Sequence, residues 1–365
     1  MDRIRKIVIY CLMLLGAVAC SQEDDAKKLN IYNWVGAIDP SIIQDFEKET
    51  GITVVYDVYE SNDVLEAKIL TGHSGYDLVF PSFYPYFARQ KEAGVYTKLD
   101  KSKIPNWSLL DPDLVSLIDR ISEGSDYCVP YSWSITGIGY RADLVKKYMP
   151  NAPVNSLRML YDKNVLKQLS KCGIGYLEEA VDVIPLTLYY LGLPPDSQNE
   201  TDINAAVQLL LTLRPYIRQM ASTRPGEDLV TGDMCVTQNW LSVIAEIQSR
   251  GDSMKNPPDI RFSIPEEGTS MWLDVMAIPI DARHKDNAYK FINFMLRPEN
   301  MARITNTVYF FNPVPSSEPY IKKEVKDRLN VIDARTRQKL FHTRVVSKDH
   351  IKKLTRAIQR VVSGR

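Results

Sequence analysis

The stretch "KLNIYNWVGAIDPSIIQDFEKETGITVVYDVYESNDVLEAKIL", which begins at Lys28, constrains the fold more than any other part of the chain. Residues 28–33 alternate in polarity as a strand does. Asp39 then offers a helix N-cap, Pro40 suits the first helical position, and Ile42, Ile43 and Phe46 form one apolar stripe. Gly51 supplies a stop, and "ITVVYDVY" reads as the next strand. A third strand, "YDLVFPS", closes at Pro81. Strands alternating with helices at this spacing predict a parallel α/β sheet, in which ligands sit at the carboxyl ends of the strands. Trp34 and Ser82 stand just beyond two such ends and are candidates on position alone.

At 365 residues the chain is long for one domain and natural for two lobes. A second α/β stretch runs from about 138 to 270, with helices expected near 178–191, 201–213 and 233–250. "SWSITGIGY" (132–140) suits an extended crossover from one lobe to the other. "MWLDVMAIP" (271–279) suits the return, followed by the amphipathic helix "KDNAYKFINFML" (285–296). The expected division is 28–132 plus 275–310 for one lobe and 133–274 plus 311–365 for the other. Two lobes on paired crossovers leave a cleft that can close around a ligand.

The return crossover carries a problem. Asp274 sits in an otherwise apolar run, and an ionised carboxylate costs several kcal/mol to bury uncompensated. Strand alternation puts Trp272 on the same face, two residues away. The plain alternative is a structural acid paired with an Arg or Lys. The other is a cationic ligand lying against both indole and carboxylate.

Lys+Arg and Asp+Glu both number 45, a balance that argues against nucleic-acid binding. Arg3, Arg5 and Lys6 precede the apolar run "IVIYCLMLLGAVA" (7–19). That run is shorter than the roughly 20 residues a membrane span needs, so it reads as a signal peptide over 1–19. Ala17-Val18-Ala19 fits an ordinary cleavage site. The same residues before Cys20 also resemble a lipobox, with Cys20 as lipid anchor and 20–27 as a tether. Export to the periplasm follows from either reading, and an oxidising compartment permits one disulfide among Cys128, Cys172 and Cys235. The four histidines (73, 284, 342, 350) are scattered, so no metal or other cofactor is expected. G-x-S-x-G, P-loop, dinucleotide and HExxH motifs are absent, which argues against an enzyme.

The stretches "IYNW", "YDLVFPS", "LDKSKIPNWSLLDPDL", "VPYSWSITGIGY", "KCGIGYLEEA", "SIPEEG" and "DVMAIPIDARHKDNAYKFINFMLRPE" occur in an order that resembles the periplasmic spermidine/putrescine-binding proteins of polyamine ABC importers, the putrescine-type branch above all. The resemblance implies a type II periplasmic-binding-protein fold, monomeric, with a polyamine held between the lobes by aromatic walls and acids and delivered to an inner-membrane permease. It implies ligand roles for Trp34, Ser82, Glu179, Asp182, Trp240, Trp272 and Asp274. Tyr84 lies near a family aromatic in a segment one residue longer than usual, and Phe310 stands where tyrosine is common. Trp107 and Trp133 are left as core aromatics. The family's cysteine pair corresponds to Cys172 and Cys235, leaving Cys128 free.

Two departures bear on the ligand. Val35-Gly36 stands where the putrescine-type pattern has Ser-Asp, and Val243 replaces an acid three residues after Trp240. Losing one buried charge partner typically costs about 2–5 kcal/mol of binding. The pocket is therefore expected to take a putrescine- or spermidine-like cation with altered selectivity. Retuning to another small organic cation, or service as a ligand-dependent sensor uncoupled from transport, are the alternatives.

Overall fold

β1 (Lys28–Trp34) lies between β2 (Thr53–Tyr59) and β3 (Leu78–Val79), parallel to both, in a computed structural model that describes residues 26–221, 224–342 and 348–364. The signal-peptide segment and Cys20 lie outside the described residues. α1 (Pro40–Thr50) forms as the sequence predicts: the Asp39 carboxylate accepts from Ser41 N–H at 2.9 Å, and Gly51 ends the helix at φ 67°. Ile42 and Phe46 are fully buried, and Phe46 meets the rings of Phe291 and Phe294 at 5.0 and 5.4 Å. α2 (Asn62–Ile69) follows β2.

The remaining strands are β4 (Cys128–Arg141), β5 (Ile174–Tyr176), β6 (Gln219–Met220), β7 (Val236–Trp240), β8 (Ile260–Ser263), β9 (Thr269–Ala277) and β10 (Leu340–Phe341). The order across the sheet is β2-β1-β3-β9-β4-β7-β5-β6, with β8 on β4 and β10 on β9. The sheet is mixed, not purely parallel, for a topological reason. The chain leaves the first half along β4 and returns along β9, so these two must run antiparallel. β4 changes partner along its length. Its residues up to Ile135 pair with β9, and from Thr136 onward it pairs with β7 and then β8.

α3 (Ala180–Tyr190) and α4 (Glu200–Leu213) agree with the sequence reading to within two residues. The helix expected over 233–250 does not start there. Val236–Trp240 is a strand whose first four residues are buried, and α5 (Leu241–Asp252) begins after it. β-branched Val236 and Thr237 fit the central position beside β4 and β5, a tertiary demand that helical spacing does not register. α6 (Lys285–Met295) packs on α1, and α7 (Lys348–Ser363) lays Leu354, Ala357, Ile358 and Val361 into the core around α3 and α4. Val314 is buried in the core of the first half.

Cys172 and Cys235 form a disulfide with Cα atoms 5.5 Å apart, and Cys128 is free and buried. Closing a loop with a sequence separation of 63 restricts the unfolded chain by about 4 kcal/mol in the entropic account. Trp133 is 8% exposed and stacks on Phe311 at 4.2 Å, a core role.

Candidate ligand-binding site

β9 is buried throughout except at Trp272 and Asp274, which are half-buried on one face, as alternation requires. Ser132 and Ser134 stand opposite them on β4. Asp274 has no Arg or Lys partner among the described residues, which sets aside the structural ion pair. Its carboxylate instead accepts from Ser82 Oγ at 2.7 Å. Ser82 is in turn fixed by Asn62, the first residue of α2: its own N–H donates to Asn62 Oδ1 at 3.0 Å, and Asn62 Nδ2 donates to Ser82 Oγ at 3.1 Å. Asp274 sits deep among protein atoms while keeping some contact with solvent. Burial pushes its carboxyl up to about 6, against the lowering pull of the Ser82 hydrogen bond.

Trp34 lies at the carboxyl end of β1, half-buried, its ring 4.7 Å from that of Tyr59. Its Nε1–H is buried and has no hydrogen-bond partner among the described residues. Asn33 Oδ1 accepts from the Trp34 backbone N–H at 2.7 Å. The other half of the molecule repeats the device, with Asn239 Oδ1 accepting from Trp240 N–H at 2.8 Å. The dipeptide Asn-Trp at a strand end therefore sets a tryptophan on each side. Asn-Trp also occurs in "PNW" (105–107), which lies in a short turn rather than at a strand end, so the dipeptide alone does not mark the site.

Asp182 occupies the first turn of α3, where an exposed acid is the ordinary outcome, yet it is 2% exposed. Its Oδ1 accepts from Trp240 Nε1 at 3.1 Å and from Thr136 Oγ1 at 3.1 Å. Thr136 Oγ1 in turn accepts from Trp272 Nε1 at 3.0 Å. The Asp182 carboxyl is pushed up to about 8, first by burial and then by the charge of Glu179, while its hydrogen-bond donors pull the other way. Glu179 is the half-buried residue at which α3 starts.

Tyr84 is half-buried, and with Phe83, Met271, Trp272, Leu273 and His342 it lines a cavity of about 10 Å³. Its segment forms a wide turn in which Phe87 N–H reaches back five residues to Ser82 O at 3.0 Å. Phe310 is not brought in. It is half-buried, and no hydrogen bond, ring contact or cavity lining ties it to this group among the described residues, whereas neighbouring Phe311 pairs with Trp133. Of the departures, Val35 is 60% exposed and Gly36 takes a left-handed φ of 70°. Val243 packs on the small apolar cluster of Leu229, Met234, Ile244, Ile247 and Ile260. Thr136, Asn62 and Tyr59 are the participants that sequence reasoning missed.

Residues 41–330 match the model of the bacterial extracellular solute-binding proteins. The chain belongs to that family. It is 39% identical to the putrescine-binding periplasmic protein SpuD of Pseudomonas aeruginosa, over 92% of each chain. It is 40% identical to the putrescine-binding periplasmic protein PotF of Escherichia coli, over 96% of this chain and 94% of that one. Among solved structures, a putative spermidine/putrescine ABC transporter from Listeria monocytogenes superposes with a TM-score of 0.79 at 30% identity, over 93% of this chain and 100% of the other. The fold is thus the α/β fold of solute-binding proteins, and membership places the chain among binding proteins rather than enzymes. No helix among the described residues is long and apolar enough to cross a membrane.

Proposed function

We propose that this protein captures a polyamine-class cation, putrescine- or spermidine-like, between the two halves of its sheet and delivers it to an ABC permease. The observation that carries the reading is Asp274: a deeply set carboxylate whose one side-chain partner among the described residues is a serine hydroxyl, on the same strand face as a half-buried indole. An ammonium group supplies the missing charge, and its methylene chain lies along the tryptophan faces. Cation–π contacts there add about 0.5–2 kcal/mol each. The putrescine-binding relatives support the same ligand class. Trp34, Ser82, Tyr84 and Tyr59 serve the Asp274 end, and Trp240, Trp272, Asp182 and Glu179 the other. Phe310 has no part in this reading.

The lobes in this reading are 28–132 plus 275–310 and 133–274 plus 311–365, with Val314 packing back into the core of the first, and they close about the β4–β9 pair. The closed form meets the permease as a monomer in the periplasm, tethered where Cys20 is lipidated. A second cation class is the alternative reading, because Gly36 and Val243 carry no charge at positions where the family resemblance leads one to expect acids. The experiment is to identify what co-purifies in the cleft and to titrate putrescine, spermidine, cadaverine and agmatine by calorimetry. Saturable one-to-one binding of at least one amine is expected. No heat with any of them, and no amine co-purifying, would overturn the reading.

A further inference from the structure

The Asp182 network lies where β4 changes partner. Ile135 still pairs with Met271 of β9, and Thr136 is the first residue to pair with β7, opposite Trp240. Thr136 is fully buried, so its hydroxyl has no recourse to solvent. That hydroxyl accepts from Trp272 on β9 and donates to Asp182 on α3, whose same oxygen also accepts from Trp240 on β7. A second tie holds the spot: Thr269 Oγ1, also on β9, donates to the Thr136 carbonyl at 2.5 Å.

We propose that Thr136 is a positioning residue for ligand binding, the hydroxyl through which the Trp272 wall, the Trp240 wall and Asp182 are set as one unit at the crossover between the two halves. The inference rests on the cleft reading above. Its physical content is that neither indole is placed by packing alone. Each N–H is aimed at an acceptor belonging to another element, and the Thr136 hydroxyl stands between Trp272 and Asp182, accepting from the one and donating to the other. Removing the hydroxyl takes from the Trp272 N–H its acceptor at 3.0 Å, leaving it to lean on Asp182 instead, and takes one donor from Asp182 Oδ1. Buried polar groups left in that state relax toward new partners, and the ring positions move with them.

Asp182 offers a readout that needs no ligand. The groups around it are Glu179 on the preceding turn, Thr136, Trp240, Trp272, and the phenols of Tyr86 and Tyr161, on both of which its charge acts. Glu179 and burial favour the neutral acid, and the Thr136 hydrogen bond favours the carboxylate. Losing that bond therefore raises the titration midpoint.

The test uses Thr136→Val, which keeps the shape and removes the hydroxyl, beside Thr136→Ser, which keeps the hydroxyl. In ligand-free protein, the indole N–H resonances of Trp240 and Trp272, identified with Trp→Phe variants, are followed against pH. Wild type is expected to titrate near 8, Thr136→Val at higher pH with the Trp272 resonance displaced, and Thr136→Ser as wild type. Putrescine titrations should show Thr136→Val weaker by about tenfold or more and Thr136→Ser within about threefold of wild type. Unchanged indole resonances and midpoint in a folded Thr136→Val would overturn the inference. If wild type binds no putrescine or other amine, the functional reading fails, while the resonances still decide the role of Thr136.

Discussion

The two acids of the candidate site are built differently. Asp274 has one hydroxyl donor, Ser82, braced by Asn62, and keeps contact with solvent. Asp182 is buried, and its Oδ1 is taken up by an indole and a threonine hydroxyl. A carboxylate with open lone pairs and a modest rise in proton affinity is suited to hold an incoming ammonium at neutral pH. One already engaged by two donors, with its carboxyl pushed up to about 8, is suited to hold tryptophans. The comparison divides labour that the family resemblance assigns to both acids alike. In this account Asp274 is the charge anchor and Asp182 chiefly the frame.

The largest effect short of the anchor itself is expected at Trp272, which shares a face with Asp274 and bonds to Thr136, so it borders both ends. Trp272→Ala should cost about 2 kcal/mol or more of putrescine binding, as buried aromatic anchors commonly do. Trp272→Phe sharpens the contrast, because it keeps the wall and loses the N–H. Recovery of most of the affinity in the Phe variant would assign the ring face to the Asp274 end. Little recovery would assign the loss to the Asp182 frame.

A pH series separates the acids next. With the Asp274 carboxyl at about 6, its charged form dominates at pH 7 and is lost as pH falls through 6. Putrescine affinity should therefore fall by roughly tenfold between pH 7 and 5. A midpoint near 4, where an unperturbed aspartate titrates, would remove burial from the description of this end. The Asp182 end predicts a stability effect instead. A carboxyl whose folded-state value is raised keeps its proton while the unfolded chain loses it, so stability is fullest below about 4 and declines as pH rises from there to about 8. Comparing melting temperatures of wild type and Asp182→Asn across that window should show the decline in the wild type and a flatter profile in the variant.

The smallest effect is expected at Gly36. Its left-handed backbone has open space around a built Cβ, so Gly36→Asp meets no clash and costs only the conformational penalty, about 1 kcal/mol or less for Asp. Chemical denaturation measures that cost. A gain in putrescine affinity from the same variant would show that a second acid beside Trp34 strengthens the Asp274 end, which Asp274 then does not anchor to its full strength alone.

Much of the Asp274 end was legible in the sequence, because its parts sit at strand ends and on one alternating face: Trp34 after β1, Ser82 after β3, and Trp272 and Asp274 two residues apart. At the Asp182 end, Glu179, Asp182 and Trp240 were named only through the family resemblance and their linkage was not legible, for reasons that lie in tertiary packing. Nothing local distinguishes an acid in the first turn of a solvent-facing helix from one pressed against two strands. Thr136 carries no marker either; a threonine in a strand is ordinary until β4 is seen to change partners at it. The start of α5 was misplaced for the same reason, since a central strand position is a property of its neighbours. The wide turn over 83–87 was not legible either, since a five-residue reach to Ser82 O has no local sequence marker.

The most direct test of the central claim is a calorimetric titration of putrescine into wild type, Asp274→Asn and Asp182→Asn at pH 7, each confirmed folded by its melting curve. The account predicts one-to-one binding by wild type and a loss of about 2 kcal/mol or more, some thirtyfold, in Asp274→Asn. It predicts a loss within about tenfold in Asp182→Asn, whose amide oxygen still accepts from Trp240 and Thr136. Wild-type affinity in Asp274→Asn, or a loss in Asp182→Asn as large as that in Asp274→Asn, would contradict it.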